Sequence, residues 1–328
     1  MPGGKPGRSG KPTAPAVVDR RTELSEFLRS RRARLRPEDV GLPEGNGLRR
    51  VPGLRREELA QLTGVSVAYY IRLEQGHVSN VSDAVLEALG TALRLTPTER
   101  DHLRHLVRPR APRIRAARPL PARSSGPEAA PAGPQRVGPA CRQLLDAMEL
   151  VPAFVLGRRL DVIGWNALGR AVFGDFAAMP AEHRNLARQV FLDPATRALY
   201  VNWEGKAEMT VSLLRRELGR YPDDPALIGL ITELTARSEE FRRFWARHDI
   251  RDKGFGVKQL NHPVAGPLTL SYESLLVAAD PEQVLVTHHA EAGTRSEAAL
   301  RRLAAAEAAD VADAVERTDR GADQDRGD

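Results

Sequence analysis

Four arginines, Arg49, Arg50, Arg55 and Arg56, precede the stretch Gly64-Val-Ser-Val-Ala-Tyr-Tyr-Ile-Arg-Leu-Glu-Gln-Gly76, and a fifth, Arg72, lies inside it. The chemistry open to such a set is neutralisation of phosphate, because guanidinium groups match phosphate oxygens two at a time. Other reactive groups carry less. The pair His288-His289 sits in a strand-like segment, where neighbouring side chains point to opposite faces and do not chelate together. Asp223-Asp224 lies in a proline-flanked turn, where Asp commonly caps helices. Cys141 has no local base to activate it. No Walker sequence, Gly-x-Ser-x-Gly elbow or His-Glu-x-x-His appears, so an enzyme is not expected, nor a cofactor or a metal.

The elements that position these groups follow from composition. The 328 residues carry a net charge of +6, unevenly spread. Up to Ala140 there are 25 Lys and Arg against 14 Asp and Glu, net +11; from Cys141 onward, 24 against 29, net −5. An anionic partner is therefore expected for the first part only, with nucleic acid foremost. Only five of the 49 basic residues are Lys: Lys5, Lys11, Lys206, Lys253 and Lys258. A single cysteine rules out a disulfide framework. No apolar run of about 18 residues suggests a transmembrane helix, and the N-terminus has no secretory h-region. A cytoplasmic, nucleoid-associated protein that does not engage membranes is expected.

Residues 1–20 read as a disordered basic arm. A first helix is expected from Thr22 as N-cap, with Leu24, Phe27, Leu28 and Leu35 at helical spacing. Helical pattern resumes at Leu54 and persists to about Val107, giving a domain over 21–108. Residues 109–139, rich in Pro, Ala and Arg, form a linker. A second domain, 140–290, opens with strands Ala153–Leu156 and Asp161–Trp165, continues with helices, and closes with strands near Gly256–Asn261, Leu268–Val277 and Gln283–His289. That order predicts an α+β domain with a mainly antiparallel sheet. Residues 291–328 are expected as a tail, partly helical and then disordered.

Within the first domain, Glu57 and Glu58 favour the start of one helix. Thr63-Gly64-Val65-Ser66 makes a tight turn, and Ser66 caps the next helix, Val67 to Gln75. Ser82 caps a fourth helix, and Thr96-Pro-Thr-Glu99 starts a fifth with a capping box. The run from Leu54 to Gly76 resembles the XRE/Cro-type (lambda-repressor-like) five-helix DNA-binding domain, and Arg49-Arg50-Val-Pro-Gly-Leu-Arg-Arg56 ahead of it resembles the MmyB-like branch of actinobacterial regulators. In the second domain Ile163-Gly-Trp-Asn166, Arg184-Asn-Leu186, Phe191-Leu-Asp-Pro194, Trp203, Tyr221-Pro-Asp-Asp-Pro225, Ser238-Glu-Glu-Phe241, Trp245 and Asn261-His-Pro263 are similar to that branch's ligand-binding domain.

The resemblance implies an all-α helix-turn-helix domain joined to an α+β PAS-like domain with an antiparallel sheet. It places Val65, Tyr70 and Leu73 toward the core and Val67, Ala68, Ile71 and Arg72 toward the groove of double-stranded DNA. Val67, Ala68 and Ile71 suit thymine methyls, Arg72 a guanine edge or a phosphate, or else a surface ion pair with Glu58 or Glu74. Ser66 and Tyr69 stand at the groove edge. Arg49, Arg50, Arg55 and Arg56 are the phosphate-clamp candidates, although Arg55 stands where a Thr cap is common. The resemblance further implies a pocket for a small apolar ligand, fatty-acid-like in character, among Phe154, Ile163, Trp165, Phe173, Trp203, Phe241 and Trp245, with Arg184 and His262 to neutralise a carboxylate. A homodimer on paired half-sites is expected. The alternative is a solid second domain that serves only dimerisation or protein partners, without ligand.

Overall fold

The computed structural model describes residues 20–43, 53–78, 80–108, 135–250 and 254–324. The expected basic arm up to residue 19, the linker residues 109–134, Arg49 and Arg50 therefore lie outside the described residues.

The N-terminal part is five α-helices: α1 (Arg20–Arg34), α2 (Arg56–Thr63), α3 (Val67–Glu74), α4 (Asp83–Ala92) and α5 (Pro97–Val107). Helix α1 begins at Arg20, so Thr22 is inside it rather than capping it. Of the expected apolar stripe, Leu24, Phe27 and Leu28 are buried against Leu59, Tyr70, Leu73, Leu86, Leu89 and Leu103, whereas Leu35 follows the end of the helix and is half-buried. Gly64 makes the turn between α2 and α3 at φ +68°, a left-handed conformation that costs glycine little. Ser66 caps α3 by accepting a hydrogen bond from Tyr69 N at 3.1 Å, and Thr96 and Glu99 cap α5 reciprocally.

The C-terminal part runs α6 (Pro139–Ala147), β1 (Ala153–Leu156), β2 (Val162–Trp165), α7 (Ala167–Phe173), α8 (Leu186–Leu192), α9 (Pro194–Leu199), α10 (Trp203–Arg220), α11 (Pro225–Arg237), α12 (Glu239–Trp245), β3 (Phe255–His262), β4 (Gly266–Leu276), β5 (Val284–His289) and α13 (Arg295–Gln324). The five strands form one antiparallel sheet in the order β2-β1-β5-β4-β3. Strands separated by a helical excursion thus become neighbours, which is the α+β plan expected. One sheet face packs on the helices through Phe154, Val162, Leu260, Leu268, Leu270 and Val286. On the opposite face α6 lays Leu145 over Val155, Ala153 and Leu285.

Two edges of this domain depart from expectation. Ala299, Leu300 and Leu303 of α13 are buried in the main core, so the segment expected to begin a tail closes the domain instead. At the other end Val137 packs against the α6 cluster, and Gln135 Oε1 accepts a hydrogen bond from Arg158 N at 2.6 Å. The last residues of the expected linker are therefore part of the packing. Among the described residues no helix is long and apolar enough to cross a membrane.

Candidate functional site

Helix α3 carries the residues expected to face a DNA groove. Tyr70 and Leu73 are buried and Val65 is partly buried, which leaves Ser66, Val67, Ala68 and Arg72 exposed and Tyr69 and Ile71 half-buried. Arg72 has no carboxylate partner among the described residues; the ion pair with Glu58 or Glu74 is not formed, because other groups occupy both carboxylates. Glu58 Oε2 accepts from Arg55 N at 2.7 Å, capping α2 from within, since an arginine side chain has no acceptor to offer. Glu74, almost wholly buried, takes Arg56 at 2.8 Å and Arg32 at 3.5 Å. Burial alone would raise its carboxyl; the Arg56 hydrogen bond and Arg32 outweigh this and lower it. Arg56, expected as a free clamp, is thus a strut tying α2 to the end of α3, with its guanidinium half in solvent. Arg55 remains exposed.

In the second domain, a cavity lies between sheet and helices. Its aromatic walls are Phe154, Phe173, Phe176 and Tyr200, its aliphatic walls Val162, Leu186 and Leu199. Gln189 and Thr196 supply polar atoms, both engaged: Gln189 Nε2 donates to Met179 Sδ at 3.4 Å and Thr196 Oγ1 to Asp193 at 2.7 Å. The enclosed room is about 10 Å³, no more than one water requires.

Of the pocket residues expected from sequence, Phe154 and Phe173 line this cavity. Trp165 backs it through Phe176, at 5.3 Å between rings. Ile163 is on the other sheet face, against α6, as strand alternation from Val162 dictates. Trp203, Phe241 and Trp245 belong to a separate aromatic chain: Trp203 to Phe191 at 6.0 Å, Phe191 to Phe241 at 5.1 Å, Phe241 stacked on Trp245 at 5.4 Å. The two carboxylate-neutralising candidates are otherwise occupied. Arg184 donates to the carbonyls of Met179 and Ala177 and covers the Trp165 ring. His262 Nδ1 accepts from Val264 N and Ala265 N while Nε2 faces the Ala171 carbonyl at 2.8 Å, so the ring holds the β3–β4 turn. Val162, Phe176, Leu186, Leu199 and Tyr200 were missed because nothing in their spacing separates a cavity wall from ordinary core.

Sequence reasoning also missed where the two domains meet. Arg215 of α10, fully buried, reaches Glu23 of α1, lies 2.7 Å from His248 Nδ1 and covers the Trp245 ring at 4.2 Å. Its other amino group donates to the Trp245 carbonyl. Burial alone would raise the Glu23 carboxyl; Arg215, with His248 and His102, outweighs it and holds it at about 2. His102 of α5, 3.9 Å from Glu23, is pushed down to about 3 by burial and stays neutral. Arg31 donates to the His248 carbonyl, Arg34 pairs with Asp249, and Ser212 Oγ donates to the Asp249 carbonyl at 3.3 Å. Ile250 completes the contact by burying its side chain in the core of the N-terminal helices. Glu23, Glu26 and His248 bring ligand-type atoms within 4.8 Å of one another, but the Arg215 cation already occupies the Glu23 side of that cluster.

Comparison with known families agrees with this division. The model of the MmyB-like transcription regulator ligand binding domain matches residues 137–303 and that of a helix-turn-helix domain matches 23–103. No curated protein matches the chain.

Proposed function

From the premise that the chain belongs to the family of the MmyB-like transcription regulator ligand binding domain, we propose that it is a dimeric, sequence-specific regulator in which an apolar, fatty-acid-like ligand in the second domain changes how α3 meets DNA. That the chain is a transcription regulator with a helix-turn-helix domain and a ligand-sensing domain follows from the matches themselves. The finer reading is ours: a first domain over 21–108 and a second that extends beyond 140–290 to take in Gln135, Val137 and the start of α13, bases read by Val67, Ala68, Ile71 and Arg72, phosphates held by Arg49, Arg50 and Arg55, and Ser66 and Tyr69 at the groove edge. It acts on DNA in the cytoplasm as a homodimer, because helix-turn-helix proteins address paired half-sites.

One observation carries the reading. Helix α10 begins three residues after Tyr200, a cavity wall, and Arg215, about 18 Å further along the helix, grips Glu23 of the DNA-binding domain. A ligand that enlarges the cavity has to move or strain the start of α10, and α10 is bolted to α1 and α5. Differential affinity for two such arrangements is all that a ligand needs to shift DNA binding.

The test is a footprint on the protein's own upstream region, followed by titrations of Arg55→Ala plus Arg72→Ala at several salt concentrations. Affinity should fall, and the slope of log K against log salt should shrink by roughly 0.9 for each phosphate no longer neutralised. An unchanged slope and affinity would sink the docking. The smallness of the cavity favours a second reading, a solid domain that serves only dimerisation or partner proteins; under it, no acyl chain changes the melting temperature of the full chain.

A further inference from the structure

A chain that uses arginine almost everywhere places two of its five lysines, both half-buried, at the edge of the core of the sensing domain. Lys206 follows the first turn of α10 and Lys258 lies on the core-facing side of β3, two residues before the buried Leu260. The Lys258 ammonium lies 3.3 Å from His288 Nε2 and 4.0 Å from the centre of the Tyr272 ring. His288 is completely buried, and its Nδ1 faces the Pro152 carbonyl at 3.2 Å, which leaves the Nε2 lone pair toward Lys258. The Lys206 ammonium is 5.3 Å from the centre of the Tyr200 ring. No carboxylate pairs with either lysine among the described residues.

An all-basic cluster without a counter-ion is an expensive thing to bury. Desolvation pushes Lys206 down to about 8, and desolvation together with Lys206 drives Lys258 well below the usual lysine range. Lysine tolerates this where arginine does not, since arginine holds its proton under nearly all conditions. Lys258 can therefore rest uncharged beside the Lys206 ammonium and take up a proton when an anion arrives.

The cluster adjoins the cavity. The His288 ring packs on Phe173 at 4.5 Å and Phe154 at 5.7 Å, and Lys206 lies against Tyr200; all three aromatic residues line the cavity. We propose that Lys206 and Lys258 form the head-group subsite for an amphiphile with one anionic head, whose apolar tail takes the space between Phe154, Phe173 and Tyr200. The cavity then opens by movement of these rings, since its room in their present positions is about 10 Å³. This assignment rests on the sensor reading above and moves the head group away from Arg184 and His262, whose polar atoms are already satisfied within the protein.

The test compares dodecanoate, dodecyl phosphate and dodecan-1-ol on the full chain by calorimetry below their micelle concentrations, with wild type, Lys206→Met, Lys258→Met and the double variant. At least one anion should bind wild type about tenfold or more tighter than the alcohol, as expected for a charge-assisted hydrogen bond. The preferred anion identifies the head as carboxylate or phosphate. The double variant should lose the preference while keeping its affinity for the alcohol. Equal binding of anions and alcohol by wild type, or a preference that survives in the double variant, overturns the subsite and leaves the sensor reading standing. Absence of binding by all three probes overturns the sensor reading and the subsite with it. The melting temperature without ligand supplies an independent check: Lys206→Met should melt at or above wild type, because a cation without a carboxylate partner has been removed, while Lys258→Met also takes away the partner of His288 Nε2. A clear fall in Lys206→Met would make that lysine a structural support and overturn the proposal.

Discussion

Arg215 is the residue on which most of the domain contact converges, and its neighbours define what its loss would do. Glu23 is 2% exposed and is shared by Arg215, His102 and His248. Arg215→Leu leaves that carboxylate buried without its main counter-charge, a change that costs about 3–5 kcal/mol in comparable buried pairs. The variant should unfold at markedly lower denaturant concentration, and Glu23→Leu combined with Arg215→Leu should recover most of the stability; a double variant no more stable than the single one would contradict this account. None of this was visible from sequence, because Arg215 is one of 49 basic residues and its partner lies 192 positions away. The recognition-helix residues were easier. A turn, a cap and alternate burial assign Val67, Ala68 and Arg72 to the outside, whereas the Arg56–Glu74 strut depends on where α2 crosses α3.

At the scale of elements, the short motifs that mark the second domain turn out to be largely helix caps. Asn166 caps α7 through Gly169 N at 2.8 Å, accepts from Ala153 N at 3.0 Å, and donates to the carbonyls of Met148 and Val151. Asn185 caps α8 and donates to the Arg159 carbonyl and Asp161, Asp193 caps α9, Asp224 caps α11 and Ser238 caps α12. These caps differ in weight. Ser238→Ala removes one capping bond, worth about 1 kcal/mol. Asn166→Ala removes a cap and in addition leaves a buried Ala153 N–H and two carbonyls without their partner, each such group costing about 1–3 kcal/mol. Thermal unfolding should therefore show a drop several times larger for Asn166→Ala than for Ser238→Ala; equal drops would mean that the caps alone matter. Helix and strand positions were legible from periodicity and turn residues for the same reason, since caps are local. The closing helix was not: Ala299, Leu300 and Leu303 form its buried stripe in an Ala/Arg/Glu-rich segment whose apolar signal is weak. The cavity wall was half legible, because alternation along β2 puts Val162 on one face and Ile163 on the other without saying which face is hollow.

For the molecule as a whole, buried titratable groups at the domain contact set the response to acid. His102 is held neutral with its proton affinity pushed down to about 3, so between that value and the ordinary 6.5 the unfolded chain binds a proton that the folded one does not. Stability is then full above pH 6.5 and falls as pH drops, by about 2 kcal/mol at pH 5 for this one group. Glu23, held at about 2, acts in the same direction lower down: its contribution is complete above 4.5 and is lost as pH falls toward 2. Melting temperatures between pH 7 and 5 should decline in wild type and decline less in His102→Phe; parallel curves for the two would show that His102 is not the sensitive group. The sequence marks a linker between the two domains but not where they touch, since the groups that make this contact come from α1, α5, α10 and the residues after α12. Gly219 shows how close the surfaces lie, for a Cβ there would stand 2.9 Å from His102 Nδ1. Ile250 has a wider consequence. It is encoded more than 140 positions after the last residue of α5 yet fills a place in the N-terminal core, so the reading head is not a free-standing cassette. A chimera that grafts residues 20–108 onto an unrelated sensor inherits an unfilled hole where that isoleucine sat. Recombination between relatives can therefore exchange the two halves intact only when the plug and its socket travel together.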